Sequence, residues 1–348
     1  MLELPQHRIR AASAGAIDVH AHLGRWLTKD GSWMAPDVAG LLRVMEECNL
    51  TAIVNLDGRW GRELEANLER YDRAHPHRFA TFCHLDWQLL AQPDGTAALV
   101  RSLEQSAASG ARGLKVWKDL GLTVTRDGTR TGARIASDDP ALAPVWEAAG
   151  DLGLPVMMHT GDPPAFFQPV DRFNERIDEL RRHPSISLAR EGPGVFRRLL
   201  DAFEATVATH PATTFVGAHV AGFAENLAWV DGLLDRYPNL LIDISARAAE
   251  LGRQPRAAAR LVERHPHQVL FGADLLPIDA EQYRVYFRML ETDDEYFPYA
   301  TAGPPGQGRW NISGLGLSAS VLEQVYAANA RRILKIAAPS GTAPSETP

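Results

Sequence analysis

The stretch AIDVHAHLG, residues 16–24, carries two histidines one residue apart after an apolar run and just before a glycine. In a strand alternate side chains share a face, so His20 and His22 point the same way. Taken alone, the pair closes either a metal-binding strand or an ordinary strand end. Partners supplied elsewhere in the chain decide between the two.

Seven further apolar runs follow: TAIVNLD (51–57), RFATFCHLD (78–86), RGLKVWK (112–118), LPVMMHT (154–160), TTFVGAHV (213–220), LLIDISA (240–246) and QVLFGAD (268–274). Between them lie segments with the 3.6-residue period of amphipathic helices, such as LLRVMEECNL (41–50) and ENLAWVDGLLDRY (225–237). Eight strands alternating with helices predict an α/β fold, a parallel sheet closed into a (β/α)8 TIM barrel. The expected organisation is one domain over residues 1–338, with long loops over the C-terminal mouth, and a flexible Pro/Ser/Thr/Gly-rich tail at 339–348. Four helix-to-strand joints are written alike, with a His or Tyr before a proline: DRAHPHRFATF, ATHPATTFVGAH, LDRYPNLLIDIS and VERHPHQVLFGAD. Proline disfavours α geometry in the residue before it, and a histidine suits the negative end of a helix. That gives His75, His210 and His265 a structural role at the barrel end opposite the mouth. The rival fold, a nucleotide-binding sheet, lacks its glycine-rich fingerprints here.

Composition narrows the function. Among 348 residues, 45% are hydrophobic and 23% charged, which is ordinary for a globular chain. With 36 basic against 43 acidic residues and no basic cluster, a nucleic-acid partner is not expected. There is no apolar run of about 18 residues, and MLELPQHRIR lacks the apolar segment of a secretory signal. Cys48 and Cys83 are too few for a disulfide framework. A cytoplasmic protein with a small-molecule substrate and no membrane partner is expected, with a homodimer as the candidate assembly.

Parity along the strands sorts the side chains. In AIDVHAHL the apolar set Ile17, Val19, Ala21 and Leu23 is expected to face helices, leaving Asp18, His20 and His22 inward. By the same count Lys115 and Trp117 point inward, Met157 shares a face with His159, Phe215 and Gly217 share one with His219, and Asp274 shares one with Gly272. Asp243, Ser245 and Arg247 look inward from the seventh strand. His20, His22, Lys115, His159, His219 and Asp274 thus converge on the mouth, where barrel enzymes carry their chemistry. Unpaired polar groups there are costly, so four histidines and a carboxylate point to a divalent metal, with zinc first and manganese, iron or cobalt as alternatives.

D-x-H-x-H on the first strand, Lys on the fourth, His on the fifth and sixth and Asp on the eighth resemble the amidohydrolase superfamily over nearly the whole chain. GLKVWKDLGL, HTGDPPAFF and VYAANARRIL (325–334) are similar to its amidohydrolase-related group, which includes aminocarboxymuconate-semialdehyde and resorcylate decarboxylases as well as hydrolases. The resemblance implies that His20, His22, His159 and Asp274 hold the metal. In binuclear members a carboxylated lysine bridges two metals, a place Lys115 would take, with His159 and His219 on the second. With one metal, the favoured arrangement, His219 is free to polarise substrate or shuttle a proton, and Lys115 or Lys118 pairs with an anionic substrate.

The implied chemistry has Asp274 taking a proton from metal-activated water and passing it to the leaving group, with His219 stabilising the attacked carbonyl oxygen. Substrate would be held by Lys115, Trp117, Lys118, Phe166 and Arg247. The segment at 160–194 reads as a lid, in which Phe166 and Phe167 either wall a pocket or pack the loop down. Arg247 and Arg253 suit either a substrate carboxylate or an internal ion pair. A second covering loop is expected at 296–310. The leading reading is a metal-dependent hydrolase of a small amide, ester or lactone bearing a carboxylate. A metal-dependent, non-oxidative decarboxylase of an aromatic or unsaturated acid is the alternative, and a non-catalytic binding barrel is the third.

Overall fold

The computed structural model describes residues 4–300 and 306–336. The expected tail at 339–348 lies outside the described residues, as do positions 301–305 of the second covering loop. Eight parallel strands form the frame: β1 (Ala16–Ala21), β2 (Leu50–Asn55), β3 (Phe79–Thr81), β4 (Leu114–Val116), β5 (Val156–Met158), β6 (Phe215–Gly217), β7 (Leu240–Asp243) and β8 (Val269–Leu270). Regular pairing runs in two arcs, β1 to β3 and β4 to β8. Two seams join the arcs. Between β3 and β4, the Cys83 amide donates to Gly113 O (2.9 Å) and the Lys115 amide to Cys83 O (2.7 Å). Between β8 and β1, the Val19 amide donates to Phe271 O (3.0 Å) and the Asp274 amide to His20 O (2.9 Å). The ring is therefore closed as the expected (β/α)8 barrel.

Two apolar layers hold it. Inside, Ile17, Val19, Val54, Phe82, Met157, Val216, Leu241 and Leu270 fill the barrel, with Ala327, Ala330 and Leu334 of the last helical segment packed on the same cluster. Outside, strand residues such as Leu114, Val156, Phe215 and Ile242 pack against the helices. The helix Pro193–Thr209 shows the local logic. Proline sits in its first turn, where no amide partner is lost, and Val195, Phe196, Leu199, Leu200, Phe203 and Val207 form its buried stripe. It stops at His210, before Pro211, and the His210 ring bonds back to Thr206 O (2.9 Å). His265 likewise ends the helix Pro255–Arg264 and pairs with Asp231 (2.9 Å).

Strand parity departs from expectation twice. In β1 the register with β2 shifts between Asp18 and Ala21. Ile17 and Val19 consequently join the inner cluster, whereas Ala21 and Leu23 pack outside. Asp18 faces the helix Ala280–Glu291, taking the Tyr283 hydroxyl (2.6 Å) and the Ala273 amide (3.0 Å). A bulge, which sets an extra residue against the partner strand, thus turns His20 and His22 into the mouth. In β6, Phe215 packs outward on Trp146 and Val216 points in, so strict alternation would send His219 away from the mouth. The strand ends at Gly217, and His219, Val220 and Ala221 take left-handed backbone (φ 58°, 59° and 55°), which brings the imidazole back.

The segment after β5 contains three short helical turns, Pro164–Phe167, Ile177–Arg182 and Pro184–Ile186. Phe166 and Phe167 are buried with Leu180, Val195, Phe196 and Leu199, so they pack the loop onto its own helix. Arg176 reaches across to the buried Glu250 of the helix Ala248–Arg253, after β7. The second covering segment carries a small antiparallel ribbon, β9 (Phe297–Pro298) with β10 (Asn311–Ile312). Among the described residues no helix is long and apolar enough to cross a membrane.

Candidate metal centre

His20, His22, His159 and His219 meet at the C-terminal mouth. Ring centroids are 4.6 Å apart for His20 and His219, 4.5 Å for His159 and His219, and 5.6 Å for His20 and His22. Asp274 lies between two of them, with Oδ1 at 3.6 Å from His22 Nε2 and Oδ2 at 4.0 Å from His219 Nε2. Its backbone is left-handed (φ 54°), a strained conformation for a residue other than glycine.

The outer nitrogens of three rings are already committed. His20 Nδ1 donates to Asp243 Oδ2 (2.8 Å), His22 Nδ1 to Asp57 Oδ1 (2.7 Å), and His219 Nδ1 to the Ser245 carbonyl (3.0 Å). Carboxylate and carbonyl oxygens only accept, so each Nδ1 holds a proton, and in the neutral ring it is Nε2 that offers a lone pair to the centre. The fourth ring, His159, is buried, and among the described residues neither of its nitrogens has a hydrogen-bond partner. Burial holds His20, His159 and His219 well below the usual imidazole range, aided by Lys115 beside His20, by His219 beside His159 and by His20 beside His219. Neutral imidazoles with converging lone pairs and a carboxylate form a donor set that fits a divalent cation. Among the described residues three groups have donor atoms close enough to share an ion: His20, His22 and Asp274, and His20, His219 and Asp243, both here, and His7, Asp293 and Asp294 elsewhere.

The family pattern for amidohydrolases matches residues 17–336. The chain belongs to the amidohydrolase family. No curated protein matches it in sequence. Among solved structures, a Rhizobium 2,6-dihydroxybenzoate decarboxylase is 15% identical with a TM-score of 0.57, covering 92% of this chain and 99% of its own. A Polaromonas dihydroxybenzoic acid decarboxylase with bound manganese gives 14% and 0.57, covering 92% and 97%. A Burkholderia multivorans amidohydrolase with bound zinc gives 15% and 0.53, covering 93% and 100%. At these identities the likeness concerns the fold.

In this amidohydrolase the other expected site residues divide. Lys115 is buried on β4 with Nζ 3.3 Å from His20 Nε2, and burial pushes it down to about 8. Trp117 edges the centre, its ring 5.6 Å from that of His22 and 5.5 Å from that of His159. Arg247 is buried beside the mouth, donating to Ala246 O (2.9 Å), and no ion pair engages it among the described residues. Three residues sit differently. Lys118 is bound by both oxygens of Asp162 (2.6 and 2.8 Å), so its charge is used within the β4 and β5 loops. Phe166 lies in the loop's own apolar cluster, and Arg253 pairs with Glu175 (2.9 Å). Sequence reasoning left Asp57 and Asp243 without a role. Asp57 ends the run 51–57, and Asp243 already counted as inward-facing in the run 240–246, so the signal that both address the mouth was available.

Proposed function

We propose that the protein is a metal-dependent hydrolase that cleaves a small amide, ester or lactone. The observation carrying this reading is the set of Nε2 lone pairs facing Asp274. His20, His22, His159 and Asp274 would hold the ion, with His219 as an adjoining donor. A divalent ion bound there supplies Lewis acidity, polarising a substrate carbonyl and acidifying water at neutral pH.

The chain's own residues do the rest. Asp274, partly open to solvent, accepts the proton of the attacking water as the new C–O bond forms. It returns that proton to the leaving nitrogen or oxygen as the scissile bond breaks. His219 differs from its expected part as an oxyanion donor, because its Nδ1 proton is committed to Ser245 and its Nε2 can only accept. Trp117 closes one side of the substrate space, and Arg247 faces a carboxylate on the substrate.

Arg247 also favours a second reading, non-oxidative decarboxylation. A buried guanidinium without an ion pair is suited to hold the acid that is lost, and protonated Asp274 would deliver hydrogen to the carbon as carbon dioxide leaves. Turnover of a panel of amides, lactones and aromatic acids in ¹⁸O-labelled water separates the two. Label in the product acid is expected; carbon dioxide release with no label in the organic product overturns the hydrolase reading.

A further inference from the structure

The segments that follow β2, β3 and β4 enclose a cavity of about 300 Å³ whose lining includes none of the histidines of the metal centre. It opens on the same end of the barrel, set off from His22 by two indoles. The Trp117 ring contacts those of His22 (5.6 Å) and Trp26 (4.9 Å), and Arg59 lies 5.0 Å over Trp26.

Arg59 is placed with care. Gly58 before it passes so close to β3 that a Cβ would lie 2.3 Å from Phe82 O. Arg59 itself takes left-handed backbone (φ 56°), and its carbonyl accepts the His84 amide (2.8 Å). The guanidinium lies 4.1 Å over the Trp60 ring, within cation–π reach, and lines the cavity. Asp86 and Asp119 line the same cavity. Their side-chain hydrogen bonds among the described residues are local, Asp86 with the Gln88 amide (3.1 Å) and Asp119 with the Thr123 hydroxyl (3.4 Å). Among the described residues none of these three charges is in an ion pair. Burial pushes Arg59 down and Asp119 up from their ordinary ranges, each shift opposed by the other's charge.

We propose that this cavity binds the α-amino-carboxylate end of a small zwitterion, with the carboxylate on Arg59, the ammonium on Asp86 and Asp119, and the side chain against Trp60 and Trp87. A lone carboxylate would face two aspartates and a lone ammonium would face the arginine, whereas a zwitterion satisfies both signs. The cavity volume sits at the lower end of small-ligand sites, which suits a free amino acid or a terminal residue. This site stands apart from the reaction assigned to the metal centre, and its test reads binding alone.

The test is calorimetric titration of the full chain with L-leucine, L-leucinamide and 4-methylpentanoate. L-leucine is expected to bind, and both analogues at least tenfold more weakly. Arg59→Met, Asp119→Asn and Asp86→Asn are each expected to weaken L-leucine at least tenfold with metal content unchanged. Should Arg59→Met fail to fold, the two aspartate variants give the same reading. Equal affinity for 4-methylpentanoate makes this a simple anion site and overturns the proposal. So does L-leucine binding that survives these substitutions, or no binding at millimolar concentrations.

Discussion

One carboxylate orients two histidines: Asp243 accepts the His20 ring through Oδ2 (2.8 Å) and the His219 backbone amide through Oδ1 (2.9 Å). The Ser245 hydroxyl donates to the same Oδ1 (2.5 Å) and lies 2.8 Å from His219 Nδ1. Asp243→Asn keeps the shape but no longer presents a carboxylate to the His20 ring. Metal affinity is expected to fall 10- to 100-fold, roughly the worth of such supporting partners, with the fold retained. Competitive chelator titration followed by circular dichroism checks both parts.

Asp274 is assigned the proton transfer, and among the described residues its side chain pairs only with His22 and His219, in no bond that the fold depends on. Asp274→Asn is expected to lower kcat by about 10²- to 10⁴-fold while the melting temperature of the apoprotein changes little. A variant that retains wild-type kcat with full metal content removes Asp274 from the mechanism.

His84 gives a pH signature away from the metal ligands. It is buried, its Nε2 bonds to Leu56 O (2.6 Å), and burial lowers it to about 3. In the unfolded chain it titrates near about 6.5, so as the pH falls the unfolded state takes up the proton first. Stability is therefore full above about 6.5 and is lost as the pH falls toward about 3, by up to about 1.4 kcal/mol per pH unit. Urea unfolding of apoprotein at several pH values is expected to show this slope in the wild type and a shallower one in His84→Gln.

The covering segment is fastened by the buried Arg176 and Glu250, and Arg176 also bonds Glu179 (2.8 Å). Removing one partner of a buried pair costs up to about 3–5 kcal/mol where the other charge is left unpaired, and less here because Arg176 keeps Glu179. Glu250→Gln is expected to lower the melting temperature and to raise proteolytic cleavage within residues 160–192. A variant as resistant as wild type would show that the segment is held otherwise.

The barrel was legible because strand and helix alternate with clear periods, and the punctuating prolines follow His75, His210, His265 and Tyr237 directly. The convergence of His20, His22, His159, His219 and Asp274 was legible for the same reason. Individual side-chain directions were less so. Alternation is blind to the β1 bulge and to the left-handed turn at His219, both of which depend on how neighbouring strands meet. Lys118 looked like a free cation because its partner, Asp162, is 44 residues away. Asp57 and His22 are 35 residues apart, and only the closed barrel makes them neighbours.

The seam between β8 and β1 has a consequence for the nascent protein. His20 and Asp274 are joined there through the Asp274 amide and the His20 carbonyl, so the first and last of the proposed ligands in sequence belong to the same closure. During synthesis the histidines of β1 leave the ribosome long before their carboxylate partner exists. An N-terminal fragment, however well its early strands pair, holds an incomplete ligand set. On the proposed function, loading of the metal would thereby be tied to completion of the polypeptide, and a prematurely terminated chain would not compete for the ion on equal terms.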